Sequence, residues 1–273
     1  MKKISIVFFL VYSLKGDFPG FFNAHIGPKK ITKELKEFAL SYEKNKANIN
    51  KEFDNKIPKI IHQIWIGPNP LPEKFKWMIE SWKKFHPNWK YKLWTNEDLK
   101  NFNLINKTAF DSSKNWGQKS DILRYEILNK LGGVYVDIDF ECLKNFDILH
   151  DSFEFYCGLL CETDHIANGI IGTIANHPVI RDCIEQIRIL KKFNNNNHDI
   201  IDATGPYFFT KKVLNFLLKN DNNKLIVLPS SFFFPFPATL RRDYWKNLIP
   251  RQKILNYIKS ETFAIHYWAN SWQ

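Results

Sequence analysis

Asp137-Ile138-Asp139 sets two carboxylates two residues apart, directly after the apolar run Val134-Tyr135-Val136. On a backbone that turns there, such a pair can share one divalent cation, one carboxylate directly and the other through water. Two anions about 4 Å apart repel by about 4 kcal/mol at an effective dielectric of 20, and a divalent ion reverses that cost. The same ion can bridge two phosphate oxygens and stabilise a departing diphosphate. An isolated Asp-x-Asp is most often a solvated turn, so its setting matters more than the tripeptide.

Ser120-Asp121-Ile122-Leu123-Arg124-Tyr125 lies one helix upstream, and Leu131-Gly132-Gly133-Val134-Tyr135 feeds straight into the acidic turn. Asp121 and Arg124 are three apart and share a helix face. The pattern puts them near the start of that helix, where free amides and the dipole favour anions. Arg124 can fork onto a phosphate and Asp121 can accept from a sugar or ribose hydroxyl. An intrahelical ion pair between the two is the alternative.

These groups need a frame, and periodicity supplies much of it. Leu35, Phe38, Ala39 and Tyr42 recur at helical spacing in residues 31–53, which predicts a charged amphipathic helix outside the main fold. Pro58 opens Lys59-Ile60-Ile61-His62-Gln63-Ile64-Trp65-Ile66, closed by Gly67-Pro68, as a buried parallel strand should be. A helix over 72–85 and a strand over 90–94 follow, with Thr95-Asn96 capping a short helix that holds Asp98 and Leu99. Another helix over about 118–131 stops at Gly132-Gly133 and yields to Val134-Tyr135-Val136. Strand alternating with helix predicts an α/β fold with an open sheet, in which ligands bind beyond the carboxyl ends of strands, where Asp137 and Asp139 fall. Further on, helices are expected near 178–191 and 205–219, a short strand at 225–228, an Asn194–Asn197 loop and an ordered aromatic loop over 230–237. Residues 151–175 and 229–250 read as loops.

The length of 273 residues suits one α/β domain with additions. With 44% hydrophobic and 16% aromatic residues, disordered and collagen-like chains are excluded. The net charge of +11 favours phosphates, nucleic acid or an anionic bilayer. The lysines are dispersed and no nucleic-acid module is present, so specific nucleic-acid binding is not expected. Cys142, Cys157, Cys161 and Cys183 lack zinc-site spacing and read as reduced, buried thiols. No Ser-His-Asp, Cys-His or Walker arrangement is evident, which argues against a hydrolase or P-loop enzyme, and His62 and His86 read as structural. Lys2 and Lys3 precede an apolar run over residues 4–14 that is too short for a standard membrane span and lacks a small-x-small cleavage site. Residues 1–20 are therefore a signal or anchor, or an element packed on the domain, and the compartment stays open between cytoplasmic, membrane-associated and exported.

Ile57-Pro58-Lys59-Ile60-Ile61-His62-Gln63-Ile64-Trp65-Ile66-Gly67, Lys119-Ser120-Asp121-Ile122-Leu123-Arg124-Tyr125 and Leu131-Gly132-Gly133-Val134-Tyr135-Val136-Asp137-Ile138-Asp139 together resemble glycosyltransferase family 32. That family includes initiating α-1,6-mannosyltransferases and capsule-sugar transferases, with a distant likeness to clostridial glucosylating toxins. The resemblance implies a GT-A-type open mixed sheet over 57–273 behind a helical extension at 21–56. It also implies a UDP- or GDP-hexose donor, Mn²⁺ or Mg²⁺, and transfer with retention of configuration to a glycan, glycolipid or protein. By motif position, Asp139 would be the main metal ligand and Asp137 a contact to ribose or metal. Asp121 and Arg124 would place the donor sugar and its phosphate, and Tyr135 would support the nucleotide side.

Trp65 falls where the family presents its nucleoside pocket, although a buried core tryptophan fits equally. Asn168 is either a contact to the donor sugar or a plain turn residue. Thr204-Gly205-Pro206 resembles a family element at the acceptor side, with simple helix capping as the alternative. His266 would be a third metal ligand or diphosphate contact, or a structural residue. Ser271 and Trp272 resemble the family's closing Ser-Trp, the indole donating to the leaving phosphate. No general base is named, because in a retaining transfer the leaving phosphate oxygen can take the acceptor proton. Two other readings compete: a nucleotidyl- or phosphotransferase using the same turn, and a non-enzymatic basic protein that holds glycan or an anionic membrane.

Overall fold

A computed structural model describes residues 21, 24, 25, 27, 31–49, 51–52, 56–189, 197–220 and 224–269. The apolar run at 4–14, most of the Asn194–Asn197 tract, and Ser271 and Trp272 lie outside these. In chain order the main elements are α1 (Lys33–Asn45), β1 (Ile60–Ile64), α2 (Lys76–Phe85), β2 (Lys90–Trp94), α3 (Trp116–Leu131), β3 (Gly133–Val136), β4 (Phe140–Cys142), β5 (Phe155–Leu159), β6 (Ile166–Thr173), α4 (Pro178–Ile189), α5 (Asn197–Ala203), α6 (Pro206–Lys219), β7 (Leu225–Leu228) and β8 (Ala264–His266).

Six strands form one sheet in the order β2-β1-β3-β6-β5-β7. The β1–β2, β1–β3 and β5–β7 pairs are parallel, and β6 runs against both its neighbours. This is the open mixed sheet flanked by helices that the family resemblance implies, whereas strand–helix alternation alone suggests a parallel one. Its consequence for function is geometric. Because β6 is reversed, its early residues lie beside the carboxyl end of β3: Val136 pairs with Ile170, and the Asp137 amide donates to the Gly169 carbonyl at 2.8 Å.

β5 and β6 occupy the stretch that reads as loop. Every residue of both is buried, so neither shows the alternation that marks a half-exposed strand. Asn168 is accordingly a mid-strand residue and not a turn.

α1 also departs from expectation. It is not outside the fold: Leu35, Phe38 and Ala39 join the main core, and Ser41 Oγ and Asn45 Nδ2 donate to the Leu225 carbonyl of edge strand β7. The helix thus covers an edge that would otherwise offer unpaired backbone groups. Thr32 caps its start by accepting from the Leu35 amide.

The Gly132-Gly133 stop has a steric cause. Both residues have positive φ, 62° and 95°, and a Cβ on Gly133 would stand 2.6 Å from the Ile60 carbonyl. This lets α3 end and β3 begin at once against β1. His62 is fixed there, 2.9 Å from the Gly132 carbonyl, with burial pulling its pKa down to about 4.

A two-stranded ribbon, β4 with β8, stands beside the main sheet and pairs Phe140 with His266. Trp82 of α2 is fully buried against it and donates its indole N–H to the Phe140 carbonyl at 2.9 Å. Truncating a tryptophan so placed costs about 3–5 kcal/mol. Around the ribbon a second apolar cluster gathers Phe75, Met78, Ile79, Ile138, Phe236, Ile254, Ile265 and Tyr267. Ile138 thereby anchors the acidic turn from its middle. All four cysteines are free and buried, and burial pushes the Cys161 thiol up to about 12. No helix among the described residues is long and apolar enough to cross a membrane.

Candidate active site

A cavity of about 550 Å³ opens at the carboxyl ends of β1 and β3, and its wall includes Trp65, Asp121, Arg124, Tyr135, Asp137, Asp139, Asn168 and His266. Backbone geometry fixes the acidic turn from two sides. Gln63 of β1 donates its side-chain amide to the Asp137 carbonyl at 3.2 Å, and is itself held by the Tyr91 hydroxyl at 2.6 Å. On the other side Gly169 leaves room: a Cβ there would lie 2.6 Å from Asp137 Oδ2.

Asp139 is buried, and each of its oxygens has one protein partner. Its Oδ2 accepts from the Ala269 amide at 2.7 Å, and its Oδ1 lies 3.1 Å from His266 Nε2. Burial pushes this carboxyl up, but His266 and the Ala269 N–H outweigh it and hold it below the usual carboxylate range. One donor atom each from Asp137, Asp139 and His266 lie within 4.8 Å of one another. Two carboxylates and an imidazole form a donor set that suits a divalent cation such as Mn²⁺. The buried Nδ1 of His266 has no hydrogen-bond partner among the described residues, a further sign that this imidazole is not simply a satisfied core residue.

Arg124 differs from expectation. Its guanidinium is buried and committed to the protein: Nη1 donates to the Asn168 carbonyl at 2.6 Å and lies 3.4 Å from Asp137 Oδ1, Nη2 lies 3.0 Å from Asp121 Oδ1, and its plane covers the Tyr135 ring at 4.5 Å. Three carboxyl and carbonyl partners leave little of the fork for a phosphate. Arg124 instead ties the two acidic positions together, and the intrahelical ion pair is present. The helix also starts earlier than the pattern suggests, because Asn115 caps it by accepting from the Gln118 amide at 3.1 Å. Asp121 therefore sits in the second turn, away from the free amides of the helix end.

Asp121 accepts from Asn168 Nδ2 at 2.8 Å and from the Thr204 hydroxyl at 3.0 Å. Burial is the largest influence on it and raises its pKa to about 6 against the pull of Arg124 and these donors. A carboxylate offers about four lone-pair positions, so the three bonds leave one free at Oδ2. Tyr135 donates its hydroxyl to Asp137 Oδ1 at 2.6 Å, which links it to the acidic turn directly.

Two more of the residues that line the cavity are the indoles Trp65 and Trp116. Trp65 is half-buried, with its N–H on the Asn69 carbonyl at 2.9 Å and its ring 5.9 Å from Phe75, so it is neither a core residue nor free. Trp116 is 39% exposed and lies against Gly67, where a Cβ would meet its ring at 3.2 Å. Trp268 completes the wall beside His266, with its ring 4.3 Å away and its backbone in the left-handed region at φ 54°. Such a conformation in a bulky residue costs about 1–3 kcal/mol and tends to cluster at functional sites.

Gln63, Trp116, Gly169 and the Ala269 amide belong to the site without having been singled out by motif. Only Gln63 carries a signal in the sequence, as a polar residue inside an apolar strand run. Thr204 holds Asp121, so it does more than start a helix. Gly205 is the N-cap residue of α6.

The sequence profile of the family described as "Glycosyltransferase sugar-binding region containing DXD motif" matches residues 72–156. An uncharacterized glycosyltransferase of Acanthamoeba polyphaga mimivirus is 32% identical over 187 residues, covering 66% of this chain and 73% of that one. Inositol phosphoceramide mannosyltransferase 3 of Schizosaccharomyces pombe is 33% identical over 165 residues, covering 56% of this chain and 44% of its own length. The chain thus spans about half the length of this fungal relative. Among solved structures, the PaToxG glycosyltransferase overlaps with a TM-score of 0.49 at 19% identity, over 67% of this chain and 78% of that one.

Proposed function

This chain belongs to the glycosyltransferase family whose sugar-binding region contains a DXD motif, and from that premise we propose that it transfers a hexose, with retention, from a nucleoside-diphosphate sugar. The observation that carries the reading is the convergence of Asp137, Asp139 and His266 on one part of a cavity that also presents Asp121, Asn168 and two indoles. Bound there, Mn²⁺ or Mg²⁺ supplies Lewis-acid stabilisation of the leaving diphosphate. Asp137 and Asp139 would hold it, with His266 as the third group. Trp65 and Trp116 offer apolar faces to a base.

Asp121 presents its remaining lone pair to a hydroxyl of the donor sugar. Arg124 is a positioning residue: it neutralises and spaces Asp121 and Asp137 without reaching the donor. The fungal relative's name makes a nucleoside-diphosphate mannose and inositol phosphoceramide the first donor and acceptor to try. Glycan and protein acceptors stand behind it.

Thermal shift with a panel of nucleotide sugars, with and without Mn²⁺, tests the reading. A true donor at a hundredfold excess over its Kd stabilises the protein by about 2.7 kcal/mol, and only in the presence of metal. Mass spectrometry of the products then separates glycosyl transfer from the diphosphate release of a nucleotidyltransferase. If no nucleotide sugar stabilises the protein with metal, or Asp139→Ala binds it as wild type does, the reading fails.

A further inference from the structure

Residues 238–257 contain two short helices, Arg241–Trp245 and Arg251–Leu255, and carry Arg241, Arg242, Lys246, Arg251 and Lys253 against the single acid Asp243. Arg251 is taken by Glu141, and Arg241 donates to the Ala238 carbonyl. Arg242, Lys246 and Lys253 are exposed and form no ion pair among the described residues. Between them Leu248 is 68% exposed, more than any other large apolar residue described. A tight turn holds it there, with Asn247 in the left-handed region at φ 59° and the Leu248 amide on the Asp243 carbonyl at 2.8 Å.

Beside this tip lies a cavity of about 300 Å³ walled by Phe236, Leu240, Ile249, Ile254 and Tyr257, with Lys253 on its wall. Phe236 is tied to the wall of the active-site cavity through its backbone, because its carbonyl accepts the indole N–H of Trp268 at 2.8 Å.

We propose that this face docks on an anionic lipid bilayer, with Leu248 entering the interface and Arg242, Lys246 and Lys253 meeting lipid phosphates. Charge complementarity selects the partner: unpaired cations surround an apolar tip, the combination that binds interfacial membrane surfaces. A nucleic acid would use the cations but gain nothing from the exposed leucine or the apolar cavity. The proposal does not rest on the transfer reaction, although docking here would bring a membrane-borne acceptor to the cavity.

Flotation of the full chain with phosphatidylcholine vesicles, with and without phosphatidylserine, tests it, with no nucleotide sugar present. Binding is expected only with phosphatidylserine and should fall steeply with salt. Each cation near such a surface is worth about five-fold in affinity, so Arg242→Gln/Lys246→Gln/Lys253→Gln should bind about a hundredfold more weakly. Leu248→Asp should lose binding as well, while slow donor hydrolysis without vesicles is unchanged in both variants. All four positions are exposed, so both variants should keep the wild-type thermal transition, and the salt dependence of wild type stands without them. Equal flotation of wild type and variants, or equal binding to neutral vesicles, overturns the proposal. So does tighter binding to an RNA oligonucleotide that Leu248→Asp leaves intact.

Discussion

Thr204 and Asp121 stand 83 residues apart in the sequence, and the hydroxyl of one donates to the carboxylate of the other at 3.0 Å. The bond joins α3 to the start of α6 beneath the cavity, where both partners are buried. Thr204→Val removes the donor and keeps the shape. It should destabilise the fold by about 1–3 kcal/mol and slow transfer, while Thr204→Ser keeps most of both. Urea denaturation and initial rates measure the two effects, and equal stability of valine and threonine proteins would contradict this account.

Asp121 gives the protein a pH signature. Its carboxyl is raised from 3.8 to about 6 by burial, so between those values the folded chain holds a proton that the unfolded chain has released. Stability from this group is therefore present at low pH and lost as pH rises towards 6. Relative to Asp121→Asn, wild type should weaken across that window by up to about 3 kcal/mol and then level off. Paired denaturation curves from pH 4 to 7 would show it. Wild type gaining stability relative to Asp121→Asn as pH rises would reverse the assignment.

Metal dependence should divide the three converging residues. Asp139→Ala should lower kcat by about 10²-fold or more at saturating Mn²⁺ if, as proposed, this carboxylate holds the ion. His266→Ala should act mainly on metal affinity, raising the Mn²⁺ concentration for half-maximal rate by about 10- to 100-fold. A metal titration of both variants distinguishes these outcomes. Identical titrations for wild type and His266→Ala would remove His266 from the site.

Gly169 makes a sharper test of geometry than any acid. Its backbone needs no special φ, so Gly169→Ala is not strained by conformation, yet the new methyl would meet Asp137 Oδ2 at 2.6 Å. The expected result is weakened Mn²⁺ binding with a stability loss of about 1–3 kcal/mol. Isothermal titration with the metal reads the first, and thermal unfolding the second. Unaltered metal affinity would mean that Asp137 has room to move.

Trp116 should matter for nucleotide and little for folding, since it is 39% exposed. Trp116→Ala should weaken nucleotide binding by about 1–3 kcal/mol, the usual worth of a base stacked on an aromatic ring, and Trp116→Phe should recover part of it. Fluorescence titration with UDP and GDP gives the numbers directly.

Much of the frame is legible without coordinates. Lys90–Trp94 matches its predicted bounds and Ile60–Ile64 falls inside the predicted 59–66, because each has clear punctuation, Thr95 for one and Pro58 and Gly67 for the other. The acidic turn is legible because it follows a strand directly. What fails is physical in each case. β5 and β6 are buried on both faces, so no period marks them. The short β4 and β8 exist only through each other, and nothing local announces either. Arg124 looks like a phosphate ligand by residue type, but its burial and its partners at Asn168 and Asp137 are long-range facts. Thr204 is visible as part of Thr-Gly-Pro, while its bond to Asp121 is not.

The Asp139 carboxylate waits 127 residues for His266 and 130 for the Ala269 amide, both delivered at or just beyond β8. A ribosome that has already extruded the acidic turn has thus still to translate most of the second half of the fold before these partners exist. Nascent chains carry the aspartates early but cannot assemble the centre until β8 and the residues just after it have been made, so a product stalled before that point would be catalytically silent.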